Sequence, residues 1–146
     1  MISLGTLTST FAAKTSFNGS VAYSGGQTSV FTGTYNSAYE TVPTLASVAG
    51  VYSGQVASVA GVETSTLTVN ASGALSGSTS GGCSYTGTVE PHAAGNVYDV
   101  STVFGAGCLF SGQTFKGHAY LSGKVLYAVV PKADLSTGAL FVGTKP

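Results

Sequence analysis

Alternation with a period of two runs through most of this chain, and it predicts strands. The clearest case lies between Gly81 and Phe110. Cys83, Tyr85, Gly87 and Val89 fall on one face, with Ser84, Thr86, Thr88 and Glu90 on the other. After Pro91-His92-Ala93-Ala94-Gly95, residues Tyr98, Val100, Thr102 and Phe104 alternate with Val97, Asp99, Ser101 and Val103. Such alternation marks a strand with one buried face. The stretch therefore reads as a β-hairpin, with the Cys83–Val89 face beside the Tyr98–Phe104 face. A one-residue slip would turn every side chain over, which pins the register. An aromatic lying over Gly87 would cover its missing side chain.

The same signature predicts strands at Gly50–Ala57, Val62–Asn70, Ala74–Ser78, Cys83–Glu90, Asn96–Phe104, Gln113–Leu121, Lys124–Val130 and Gly138–Thr144. Turn residues separate them: Ala60-Gly61, Asn70-Ala71-Ser72-Gly73, Gly81-Gly82, Ser122-Gly123 and Pro131-Lys132-Ala133-Asp134. Residues 4–35 carry three or four further short strands, punctuated by Asn18-Gly19 and Gly25-Gly26. Asn-Gly is the strongest short hairpin signal. Tyr35 to Glu40 reads as a connection.

One short helix is expected at about 43–49. Pro43 suits its first turn, Leu45 and Val48 share a face, and Gly50 can end it as a left-handed cap. So short a helix must be held by packing, and we expect it to plug an open end of the β structure.

Closely spaced strands without intervening helices point to an antiparallel sandwich or barrel. An aromatic or leucine followed by Ser/Thr and Gly recurs at Tyr23, Phe31, Tyr52, Leu75, Tyr85, Phe110 and Leu121. Glycines within strands mark bends where a sheet curls, which favours a barrel. The expected fold is all-β: an antiparallel curved β-sandwich or small β-barrel of about 8–10 strands. The length of 146 residues fits a single all-β domain over 1–146, with an N-terminal hairpin region at about 1–40 and a main sheet at about 50–145.

Composition removes several functions. Charged residues are 7% of the chain, where about 25% is usual. Five lysines, no arginine and a net charge of zero leave no basic footprint for nucleic acid and no polybasic membrane patch. The longest apolar run, Val125 to Val130, is too short for a transmembrane helix. A lipid-facing barrel needs a continuous apolar series on each outer face, where most strands here carry Thr or Ser. The start, MISLGTLTST, lacks the basic and apolar regions of a signal peptide, so an exported form would have lost its leader.

The two cysteines lie near the open end of the hairpin, and Gly105-Ala106-Gly107 can bend Cys108 back towards Cys83. A disulfide closing about 25 residues stabilises by roughly 3–3.5 kcal/mol; the alternative is two buried free thiols. There is no CxxC and no metal-binding cysteine spacing, which argues against zinc and redox catalysis.

Candidate chemistry is sparse. His92, His118, Asp99, Asp134 and many serines are raw material for a triad, but no G-x-S-x-G elbow occurs. His92 falls in the hairpin turn, and His118 shares a polar strand face with Lys116 and Tyr120. Glycosidase work needs two carboxylates about 5–9 Å apart. Of Glu40, Glu63, Glu90, Asp99 and Asp134, only Asp99 is mid-strand. Outward it is a surface charge; inward it needs a partner. Two lone histidines 26 residues apart and no acidic cluster give little to coordinate a metal, and no cofactor is expected. The aromatics form a core or line a ligand site, which makes Tyr98, Phe104, Phe115, His118 and Tyr120 the candidates for ligand or partner contact.

From about Val42 to Pro146, the motifs Gly50-Val51-Tyr52-Ser53-Gly54, Ala74-Leu75-Ser76-Gly77, Gly82-Cys83-Ser84-Tyr85-Thr86-Gly87 and Asn96-Val97-Tyr98-Asp99-Val100, with Cys108, form a pattern. It resembles small exported proteins and lipoproteins of Gram-negative bacteria, a group without an assigned biochemical activity. The resemblance implies export, a disulfide, and presentation in the periplasm or at the cell surface or outer membrane, as an antigen would be. It carries over no catalytic residue, and the chain has no lipobox cysteine.

The expected function is that of a non-enzymatic exported protein with a structural, surface or protein-interaction role. The alternative is a carrier of a small apolar ligand inside a barrel, and a hydrolase ranks third. Gaps around Phe115, Gly117 and Ala119 would favour a carrier, and a filled interior an interaction protein. An enzyme needs a concave site that gathers His118 with a carboxylate and a serine.

Overall fold

A computed structural model describes residues 5–146; Leu4, expected in the first strand, lies outside them. The chain forms two compact units, residues 1–39 and 40–146.

In the first unit, β1 (Gly5–Ala12), β2 (Ser16–Tyr23) and β3 (Thr28–Thr34) form an antiparallel sheet in that order. The register sets Leu7 opposite Val21, Phe11 opposite Phe17, and Gly19 opposite Phe31. One face is thus apolar, with Phe17 and Phe31 rings 5.1 Å apart. The Asn18-Gly19 hairpin turn is corrected: the pair sits mid-strand in β2, and the chain turns at residues 13–15, where Lys14 takes φ 51°. Gly19 serves close approach, because a Cβ there would press on the Phe31 ring and the β1 backbone. Asn18 spends its side chain accepting a bond from the Gly33 amide. A 3₁₀ turn spans Ser37–Glu40.

The second unit is a closed antiparallel barrel. Its strands are β4 (Gly50–Ser58), β5 (Gly61–Val69), β6 (Ala74–Thr79), β7 (Ser84–Pro91), β8 (Tyr98–Phe104), β9 (Thr114–Ser122), β10 (Val125–Pro131) and β11 (Gly138–Thr144). Each pairs with the next, and β11 closes on β4, with Phe141 opposite Val56. Closure removes every unpaired edge. Tyr85 faces Phe104 and Val89 faces Val100, as the alternation predicts.

Apolar side chains point inward: Tyr52, Leu67, Val89, Val100, Phe115, Leu126 and Phe141 are buried. Outward positions of β5 to β7 are largely hydroxyls, such as Thr64, Thr66, Ser76 and Thr86. On these three strands the pattern is the reverse of a lipid-facing one, which is apolar outside.

Strand glycines make the curvature. At Gly54, Gly87 and Gly117 a Cβ would run into the backbone of the neighbouring strand, at Val142, Ser101 and Val129. Gly87 has Thr102 as its cross-strand partner, and rings cover Gly77 (Tyr85) and Gly143 (Phe141). Gly117→Ala is expected to destabilise the barrel by roughly 1–3 kcal/mol, seen as a lower urea midpoint. An unchanged midpoint would mean that β10 yields freely.

The helix α1 (Leu45–Val48) is a single turn, shorter than expected. Thr44 caps it by accepting from the Ser47 amide at 3.1 Å. Its end is also corrected. Ala49 is extended and Gly50 has φ 147°, so no left-handed cap forms; the chain leaves straight into β4, with no residue free to turn back. As expected, α1 stops one end of the barrel. Val48 is wholly buried, Tyr52 donates to the Val48 carbonyl at 2.7 Å, and Tyr98 donates to that of Thr44 at 3.1 Å. Burial, and then Tyr98, push the Tyr52 phenol up to about 12, so it stays a neutral donor.

The opposite end carries the expected disulfide. Cys83–Cys108 ties the β6–β7 turn to the β8–β9 loop, with Cα atoms 4.3 Å apart. Gly107, at φ 75°, lies so close to the Gly82 carbonyl that a Cβ would collide with it.

Candidate functional site

Three neighbouring segments of the barrel wall bring together the only two histidines of the chain. Asp99 lies between inward-facing Tyr98 and Val100, so it points out; His118 lies between Gly117 and Ala119 and does the same. The register pairs Asp99 with Glu90 on one side and His118 on the other. His92 starts the β7–β8 loop, which closes through its amide bond to the Val97 carbonyl at 3.0 Å. Gly95 makes that closure possible with φ 80°.

The loop lays His92 over Asp99. Its Nδ1 stands 2.9 Å from both carboxylate oxygens, and the Nδ1 of His118 is 3.1 Å from Oδ1. The two rings meet edge to face at 5.6 Å. An ionised carboxylate only accepts, so each Nδ1 carries the proton in this arrangement. The hydrogen bond from His92, followed by the charges of His92 and His118, holds the Asp99 carboxyl below its ordinary value. Side-chain exposures of 38% for His92, 49% for Asp99 and 61% for His118 leave the cluster open to water. Exposed pairs of this kind contribute little to stability.

The same face forms a groove lined by Glu90, Asp99, Ser101, Lys116 and His118, which gathers the residue types that a hydrolase would need. Ser101, however, is opposite Lys116 and on the diagonal from His118, about 7–8 Å away in such a sheet. Asp134 is remote from it. It lies in the β10–β11 loop at the disulfide end, where Ser136 and Lys132 hold its carboxyl well below the usual range.

The other candidate residues divide between core and surface. Tyr98 is buried against α1. Phe104 and Phe115 are buried, with ring centroids 4.9 Å apart, and Phe110 joins them at 6.0 and 5.1 Å. Inside the barrel a void of about 50 Å³ remains among residues including Leu67, Leu75, Val100, Phe104, Val130 and Phe141. A second space of about 80 Å³ opens beside the disulfide, against Phe104 and Phe110. The first has room for a few water-sized molecules.

Tyr120 is exposed on the outer wall. The register sets it opposite Tyr127, Tyr127 opposite Val142, and Val129 opposite both His118 and Leu140. Tyr120, Tyr127, Val129, Leu140 and Val142 are all exposed, so they make one apolar patch across β9, β10 and β11 beside the histidine cluster. Sequence reasoning found Tyr120 and His118 but not their neighbours. The signal was present in β10 and β11, whose outward positions carry Tyr, Val and Leu where other strands carry Thr and Ser.

The chain matches no protein-family model, no curated protein and no solved structure. No helix among the described residues is long and apolar enough to cross a membrane.

Proposed function

We propose that this is a non-enzymatic exported bacterial protein that works through its outer wall, by binding another protein. The observation that carries this reading is the patch of Tyr120, Tyr127, Val129, Leu140 and Val142, exposed on a wall that is otherwise rich in hydroxyls. Contiguous exposed apolar surface is a mark of partner contact, and tyrosines suit it because they offer large rigid area with a polar tip. The interior is largely taken by the protein's own side chains, which weighs against a carrier. The disulfide supports an oxidising compartment. The resemblance to small exported Gram-negative proteins agrees with the periplasm or cell surface as the place of action, and with an antigen-like role.

A photoreactive side chain at position 127, in protein exported by its producing cell, tests this. One discrete cross-linked species is expected, lost when Val129 is also changed to Lys. No species, together with a native mass raised by an adduct of several hundred daltons released on denaturation, would replace the proposal with the carrier.

A further inference from the structure

We propose that His92, Asp99 and His118 form a binding site for a first-row divalent cation of the zinc type. The three ligand atoms lie within 4.8 Å of one another, and both Nδ1 atoms already converge on one carboxylate at 2.9–3.1 Å. Donors held 2.0–2.2 Å from a zinc ion at tetrahedral angles stand roughly 3.3–3.5 Å apart. The His–Asp separations need to lengthen by only a few tenths of an ångström, and the two histidine ligand atoms, within 4.8 Å of each other, close on the ion by rotation of their exposed side chains.

Two imidazoles and one carboxylate suit a borderline cation such as Zn²⁺ better than Ca²⁺ or Mg²⁺, which prefer all-oxygen sets. A second observation points the same way. Asp99 is directly opposite Glu90 on the outer face, and like charges so placed repel. A divalent cation at Asp99 would add to the relief that His92 and His118 already give the carboxylate. The chemistry balances without an added reactant. Each imidazole binds the metal through Nδ1 as the tautomer that carries its proton at Nε2, and any second ring proton passes to water. Three protein donors leave a fourth position, which faces water on an exposed wall.

Calorimetric titration of the metal-stripped full chain, carrying no added histidines, with Zn²⁺ alone tests the proposed site. One Zn²⁺ per chain is expected, with affinity at least tenfold weaker in His118→Ala, whose exposed position leaves thermal unfolding unchanged. An isotherm that His118→Ala and His92→Ala leave unaltered would overturn the proposal. A measurement on the unaltered chain needs no variant: saturating Zn²⁺ should shift the ring resonances of both His92 and His118. Rings that stay unmoved would overturn it even if zinc bound elsewhere.

Discussion

Phe115→Ala is expected to lower the unfolding free energy by about 3–5 kcal/mol, the largest single effect foreseen in the barrel. Phe115 is 1% exposed, and its ring sits 4.9 Å from Phe104 and 5.1 Å from Phe110. Truncation removes its transfer free energy and both ring contacts. The partners cannot collapse into the gap, because β8 and β9 are locked in register on each side. At roughly 4 °C per kcal/mol for a unit of this size, the melting temperature should fall by about 12–20 °C. A loss under 1 kcal/mol would mean that the aromatic cluster is not the centre of the core.

Replacing both cysteines, Cys83→Ser with Cys108→Ser, should cost roughly 3.5 kcal/mol. The crosslink spans a sequence separation of 25, and its removal returns that loop-closure entropy to the unfolded chain. Folded-state docking of the loop persists in part, through Ser84 donating to the Ala106 carbonyl at 3.0 Å and Gly105 to that of Ser84 at 2.7 Å. Denaturant unfolding with and without reductant measures the same quantity in the unaltered protein, and agreement between the two is expected. A difference below 1 kcal/mol in both would show that the loop stays closed in the unfolded state. Because Cys108 and Phe110 share the barrel mouth, combining this change with Phe115→Ala should not be additive.

All eight barrel strands could be read from the chain within a residue or two, since each has one wet face and one dry face and so prints its period in the residues. The Asn18-Gly19 turn failed because glycine has two uses, turning and making room, and the residue type does not say which. The histidine cluster was hidden for another reason. His92, Asp99 and His118 meet only through the pairings of three segments, and the nine-residue β8–β9 connection, 105–113, conceals which residue of β9 faces Asp99. Asp99 itself was the visible trace, the one carboxylate that the alternation placed in the middle of an expected strand.

Closure between β4 and β11 also decides where the barrel is moored. The chain enters at Gly50 and leaves after Thr144, strands that lie side by side, and both junctions are at the rim stopped by α1. Lys145 marks the spot, its Nζ donating to the carbonyls of Ser47 at 2.6 Å and Ala49 at 3.2 Å. Both chain junctions of the barrel therefore lie at one pole, and its disulfide pole carries neither of them.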